Sequence, residues 1–339
     1  MTTQTLNNIA RAMVADGKGL LAMDESLGTC NRRFAQAGIP QTLEMRRAYR
    51  ELLLTTPNLQ AYISGVILYD ETIHQTRADG MPFVQVARDA GMLVGIKLDM
   101  GATELAGHPG EKVTEGLDGL RERLQSYVEM GAKFAKWRGV ITLNATTLPT
   151  AAGIEVNAHA LTRYAALCQE AGLVPIIEPE VLMDGTHTLE RCQEVTQTVL
   201  RSVFNKLTLQ GVALEGIILK PNMVIAGLSC PTQNSADDVA RATVQCLLRT
   251  VPAAVPGIAF LSGGQSSELA SSRLNAMHIG YTTPWPLTFS FARALQQAAL
   301  TLWAGQDANR VAAQHALLHR AQCNSAALRG EYNAHKDSL

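Results

Sequence analysis

Eight short runs rich in Val, Ile, Leu or Phe recur along this chain: Gly19–Met23, Ile63–Tyr69, Leu93–Leu98, Phe134–Val140, Val174–Ile177, Gly216–Leu219, Gly257–Leu261 and Trp285–Phe289. Continuous apolar runs of this length read as strands buried on both faces. Between them lie segments of helical periodicity. One opens at Thr42 and stops at Pro57, one places Leu189, Cys192, Val195, Val199 and Val203 at three-to-four spacing, and one starts on the capping sequence Ser235-Ala-Asp-Asp238 before Val239. Strand followed by helix, eight times over, is the pattern of an α/β fold with a parallel (β/α)8 TIM barrel. Two doubly wound sheets are the alternative, but no G-x-G-x-x-G follows any of the runs. No low-complexity segment or change in composition proposes a boundary, so residues 1–339 read as one domain, with a short C-terminal tail from about 330.

In such a barrel the functional site lies at the C-terminal ends of the strands. Those ends read Asp24, Asp70-Glu71, Lys97 with Asp99, Lys136 with Arg138, Glu178 with Glu180, Lys220, Ser262-Gly263-Gly264, and Ser290 with Arg293. Residues two apart on a strand share a face, so these pairs converge on a polar, charge-alternating cup.

Composition narrows what the cup can serve. The chain has 339 residues, 47% hydrophobic and 17% charged, with a net charge of −1. That balance is unlike a nucleic-acid or polybasic membrane binder, which needs a sustained cationic face. The start, Met-Thr-Thr-Gln-Thr-Leu-Asn-Asn, lacks the basic and apolar parts of a signal peptide, and no apolar stretch approaches the ~20 residues of a membrane helix. Six cysteines, at 30, 168, 192, 230, 246 and 323, form no C-x-x-C pair and read as reduced, mostly structural thiols of a cytoplasmic protein. His315 and His319 are four apart, yet with no third ligand nearby in sequence they read as one face of a terminal helix, so no metal is assigned.

The chemistry centres on Gly-Ile-Ile-Leu-Lys220-Pro-Asn-Met. A lysine at the end of a buried strand is costly as a cation, which favours the neutral, nucleophilic amine needed to condense with a ketone. With an ordinary lysine only roughly one amine in a few thousand is neutral at pH 7, a handicap of about 4–5 kcal/mol. A neighbouring cation lowers it, and Lys136 is the neighbour on the same rim. Lys136 can equally pair with Glu178 or Glu180. Loss of the carbinolamine hydroxyl needs a proton donor, for which Glu178 in Pro-Ile-Ile-Glu-Pro fits, and Asp24 can take a proton from a substrate hydroxyl. The Ser262-Gly-Gly-Gln-Ser-Ser loop before a helix can cradle a phosphate on its N–H groups, with Arg293 as a bidentate partner. A second basic group, Arg32-Arg33 with Lys97 and Arg138, lies toward the other side, with Ser26 and Thr29 adding hydroxyl donors. Two anion sites flanking one amine imply a ketone phosphorylated at both ends.

The chain resembles the class I, Schiff-base-forming fructose-1,6-bisphosphate aldolases. The resemblance rests on Gly-Lys-Gly-Leu-Leu-Ala-Met-Asp24-Glu-Ser, Gly-Val-Ile-Leu-Tyr-Asp-Glu, Gly-Ile-Lys97-Leu-Asp, Gly-Leu-Asp-Gly-Leu, Phe-Ala-Lys136-Trp-Arg138, Pro-Ile-Ile-Glu178-Pro-Glu180, Leu-Lys220-Pro-Asn-Met, Phe-Leu-Ser262-Gly-Gly-Gln and Leu-Thr-Phe-Ser-Phe-Ala-Arg293-Ala-Leu-Gln, in family order from about residue 9 to about 332. It implies a metal-independent lyase without cofactor, usually homotetrameric, that cleaves fructose 1,6-bisphosphate reversibly to dihydroxyacetone phosphate and glyceraldehyde 3-phosphate. It further implies that Lys220 forms the Schiff base, Glu178 exchanges protons with the carbinolamine, Asp24 aligns or deprotonates at C–C cleavage, and Lys136 tunes the nucleophile with Glu180 as its carboxylate partner. Ser262, Gly263, Gly264, Ala292 and Arg293 fall where the family binds the C1 phosphate, and Ser26, Thr29, Arg33, Lys97 and Arg138 where it handles the C6 phosphate. Three positions depart from the pattern. Phe291-Ala292 stands for a common Tyr-Gly, Arg32 for a frequent lysine, and the sequence reaches Leu339 soon after Tyr332, without the tyrosine-ended tail that assists enamine protonation in familiar members. Other Schiff-base barrels would lack the paired phosphate sites. A scaffold on the same frame would not need Lys220, Lys136, Glu178 and Asp24 together.

Overall fold

Among the described residues ten strands follow in chain order: β1 (Gly19–Ala22), β2 (Ile63–Leu68), β3 (Leu93–Lys97), β4 (Ala102–Glu104), β5 (Lys112–Thr114), β6 (Phe134–Ile141), β7 (Val174–Val181), β8 (Ile218–Leu219), β9 (Ile258–Phe260) and β10 (Leu287–Phe291). Eight of them pair in parallel and close on themselves in the order β1-β10-β9-β8-β7-β6-β3-β2. These are the eight runs read from the sequence, and the (β/α)8 barrel stands. The computed structural model describes residues 2–337, so Met1 of the expected leaderless start and Ser338-Leu339 of the expected tail lie outside the described residues.

The helices begin where side chains can satisfy their first N–H groups. Thr42, Thr188, Ser235 and Ser266 each accept from the N–H three residues on, at 3.2, 3.3, 3.1 and 3.2 Å. Leu43–Leu54, Leu189–Leu209 and Ala236–Thr250 follow the first three, as the periodicity predicts.

Inside the barrel the lower layers are apolar. Leu20, Ala22, Ile67, Phe134, Val174, Ile176, Ile218 and Ala259 pack together and are closed from below by Leu6, Ala10 and Met13 of helix Thr3–Met13. Phe134 fills this floor because Gly95 lies opposite it in register, and any side chain at Gly95 would overlap its ring. The alternate residues face outward, where Trp137 packs at a tilt against Tyr164 of helix Ala151–Glu170 with ring centroids 5.5 Å apart.

Three details differ from the sequence reading. Strand β7 runs four residues past Ile177, so Glu178 and Glu180 lie within it. Its two prolines are tolerated because β8 pairs only with Ile176 and Ile177, and Asn222 Oδ1 accepts from Val181 N–H at 3.1 Å beyond that point. Strand β10 sits two residues later than Trp285–Phe289, which brings Ser290 into the sheet. The antiparallel hairpin of β4 and β5 had no signal, being too short and too polar to show a period.

Candidate active site

At the C-terminal end of the barrel a cavity of about 600 Å³ opens above the apolar floor. Thirteen of the fifteen residues to which the resemblance assigns a part line it: Asp24, Ser26, Thr29, Lys97, Lys136, Arg138, Glu178, Glu180, Lys220, Ser262, Gly263, Ala292 and Arg293. Gly264 and Arg33 do not.

The deepest group is a web of four ionisable side chains. Lys220, Lys136 and Glu178 are 3–4% exposed and Asp24 7%. One carboxylate serves both amines: Glu178 Oε1 lies 3.2 Å from Lys220 Nζ, and Glu178 Oε2 lies 3.3 Å from Lys136 Nζ. Lys136 Nζ lies 2.6 Å from Asp24 Oδ2 as well. Burial alone would raise the Asp24 carboxyl, but Lys136, Lys220 and Lys97 outweigh it and hold it at about 2, against an ordinary 3.8. Burial opposes the Lys136 charge, yet Asp24 and Glu178 hold its ammonium well above the usual lysine range. Lys136 is therefore a fixed cation beside Lys220, with Asp24 a fixed anion. The Lys220 backbone is clamped too: its N–H donates to Ile177 O at 2.8 Å, and the next carbonyl, of Pro221, accepts from Leu261 N–H at 3.2 Å.

The resemblance pairs Lys136 with Glu180, and here the geometry differs. Glu180 is salt-bridged to Arg138, because two residues further along β7 it stands one layer above Glu178 and meets the guanidinium one layer above Lys136. Burial opposes the Arg138 charge, and Glu180 restores it and raises the group above its ordinary range. Lys97 is turned toward Asp99, with Nζ 2.5 Å from Oδ1 and 2.6 Å from the Asp99 carbonyl. Its ammonium stands 5.9 Å from the centre of the Tyr69 ring. Asp99 Oδ2 in turn accepts from Arg138 N–H at 3.3 Å. Ser26 donates to Thr29 at 3.2 Å at the start of helix Leu27–Gln36.

Arg33 is placed away from this wall. It is buried, bridged to Glu25, and reaches Gln297 at 3.5 Å. Glu25 is shared with Arg50 at 2.7 Å. Burial raises this carboxyl, but Arg50 and Arg33 hold it below the usual range. Arg33 thus serves the helix packing beneath the lip, a pairing that no local spacing announces.

On the other lip, Gly263 and Gly264 take φ of 56° and 96°, left-handed conformations that glycine adopts without steric cost. A side chain at Gly263 would overlap Met183. The turn is supported from below, where Gln265 donates to the Ser262 carbonyl at 3.0 Å and Arg273 donates to Gln265 at 2.8 Å. Arg293 opens helix Arg293–Trp303, is exposed, and has no ion-pair partner among the described residues. Ser290 also lines the cavity, with a buried hydroxyl that has no hydrogen-bond partner. Its signal was the strand end already noted. Tyr69, Arg123, Tyr127 and Thr114 also line the wall without having been singled out, since aromatic residues, helix-borne residues and the short strand β5 carry no rim pattern.

A web of two amines around one carboxylate, between two cationic lips, suits covalent ketone chemistry on a doubly anionic substrate. The family model described as "Fructose-bisphosphate aldolase class-I" matches residues 5–339. A probable fructose-bisphosphate aldolase class 1 from Xanthomonas campestris is 55% identical over 98% of this chain and 99% of its own length. Fructose-bisphosphate aldolase B from Gallus gallus is 52% identical over 97% and 91%. A solved structure of fructose-bisphosphate aldolase from Plasmodium falciparum, in complex with TRAP and a small-molecule inhibitor, superposes with a TM-score of 0.96 at 46% identity, covering 98% of this chain and 96% of that one. The chain belongs to the class I fructose-bisphosphate aldolase family.

Proposed function

We propose that Lys220 is the amine on which this chain, a lyase of the class I aldolase family, cleaves fructose 1,6-bisphosphate to dihydroxyacetone phosphate and glyceraldehyde 3-phosphate. The observation that carries the assignment is the shared carboxylate, with Lys220 and Lys136 on opposite oxygens of Glu178 at 3.2 and 3.3 Å. Lys220 passes a proton to the Glu178 carboxylate at 3.2 Å, and the amine left neutral attacks the C2 ketone. One proton moves from the attacking nitrogen to the carbinolamine oxygen and Glu178 returns the other, so that oxygen leaves as water and yields the iminium, with Glu178 again a carboxylate. The C4 hydroxyl then gives its proton to Glu178, the C3–C4 bond breaks, the aldehyde departs, and the electron pair is held in the enamine. Glu178 or water protonates C3, and hydrolysis of the iminium frees Lys220. Asp24, an anion across the neutral range but a weak base, aligns Lys136 and the reacting hydroxyl. Ser262, Gly263, Gly264, Ala292 and Arg293 receive one phosphate, and Lys97, Arg138, Ser26 and Thr29 the other.

We assign Arg33 a supporting part, through Glu25, in the second phosphate site. Residues 1–339 act as one catalytic unit, in a cytoplasmic homotetramer. No described helix is long and apolar enough to cross a membrane. The test is borohydride reduction with dihydroxyacetone phosphate in the presence of EDTA, followed by peptide mass spectrometry. A stable adduct on Lys220 is the expected result, and an adduct on another lysine, or none, overturns the assignment.

A further inference from the structure

Helix Arg310–Leu328 carries His319 and Cys323 one turn apart, and the chain then doubles back so that Asp337 meets the same face. One ligand atom from each of the three lies within 4.8 Å of the others. His319 Nε2 is 3.5 Å from Cys323 Sγ, and the carbonyl of Lys336 is 3.2 Å from the same sulfur. Pairing His319 with His315 found no third ligand in the sequence. The structure supplies two, one of them a turn further along the helix and the other across a reversal of the chain.

We propose that His319, Cys323 and Asp337 form a site for a thiophilic divalent cation such as zinc, remote from the catalytic cavity. The donor set is the borderline-soft nitrogen, sulfur and oxygen combination that tetrahedral zinc takes, with the Lys336 carbonyl or a water for the fourth position. The charges match: one thiolate and one carboxylate neutralise a divalent ion, and the thiol proton is released on binding. Burial lowers the His319 imidazole, which keeps it neutral and free to ligate. Burial raises the Cys323 thiol to about 11, a cost the cation must overcome, so affinity rises with pH. The cations facing the cluster are Arg320 and Lys336. Arg320 is not free, since it holds Asp337 while donating to Ser267 O at 3.0 Å and Ser271 Oγ at 2.8 Å. Tyr332 also donates to Asp337. These two are the outer contacts that orient a ligating carboxylate. Half-buried His319 leaves the site open to solvent. An ion bound there would tie the segment after Gly330 to the last long helix.

The full chain, freed of metal by a chelator, should be titrated with cobalt(II) and then zinc. One equivalent of cobalt should give a thiolate-to-metal charge-transfer band, displaced by zinc, with about one proton released per ion at neutral pH. Cys323→Ser should abolish the band, and His319→Ala should weaken binding by about 100-fold or more. Cys230→Ser should leave it unchanged, Cys230 being the one cysteine that is not buried among the described residues. Absence of a one-equivalent thiolate band in the parent chain overturns the proposal. So does a band that survives Cys323→Ser, or binding indifferent to His319→Ala in a variant whose circular dichroism is unchanged.

Discussion

The cavity holds cations in two settings, and the contrast between them separates reactivity from affinity. Lys136 and Lys220 lie on the floor, 4% and 3% exposed, locked around Glu178 and Asp24. Arg138 and Arg293 stand at the lips, Arg138 with 41% of its side chain in solvent and Arg293 with no ion-pair partner among the described residues. The same formal charge therefore acts differently. At the floor, low solvation makes each proton's position a matter of several kcal/mol. At the lips, water screens the charge and leaves it able to bind a phosphate and release it.

The sharpest way to break this comparison is Lys220→Ala. It should reduce turnover by about 10⁴-fold or more and abolish the borohydride adduct, because no other floor amine takes its place. Residual turnover above that level would mean a second amine can serve. Glu178→Gln comes next, with an expected fall of about 10²–10³-fold in kcat and little change in KM. A rise in KM instead would move Glu178 from proton transfer to binding. Arg293→Ala at the lip should do the reverse, raising KM about 10- to 100-fold while kcat stays within a few-fold. If kcat fell as far as KM rose, the lip would belong to the reacting machinery. The smallest effect concerns stability. Asp24 has a folded value of about 2 against an ordinary 3.8. Its stabilising part is fully present above about pH 4 and is lost as pH falls toward 2. That part is on the order of 2 kcal/mol. In denaturant unfolding, the gap between the parent chain and Asp24→Asn should close over that range, and a constant gap would show that Asp24 is not held as a floor anion.

The floor was legible in the sequence, and much of the upper wall was not. Lys136, Glu178 and Lys220 each close or interrupt an apolar run, so burial and a shared face followed from alternation along a strand. That logic gave residues but not partners. Glu180 was matched to Lys136, whereas its side chain is salt-bridged to Arg138, two residues further along β6. Arg33 was grouped with the lip because it is basic and near Ser26. Its partner Glu25 is next to Asp24 in sequence, yet the pairing depends on how helix Leu27–Gln36 turns back and on Arg50 from a different helix. The hairpin of β4 and β5 and the meeting of Cys323 with Asp337 are of the same kind, short elements and long-range encounters that periodicity does not record.

Phe134, Lys136 and Arg138 are alternate residues of the one strand β6, and they occupy the floor, the reactive layer and the lip in turn. Strand geometry separates such neighbours by roughly 6.6 Å. The covalent backbone thus serves as a ruler, setting how far the amine layer stands above the barrel plug and how far the phosphate contact stands above the amine. Because Phe134 is wedged against Gly95, the zero of that ruler is fixed by packing and not by the polar groups. Deleting one residue between Phe134 and Arg138 would do more than shorten the strand. It would turn the remaining lip or floor residue toward the helices, dismantling two layers while leaving every catalytic side chain present in the sequence.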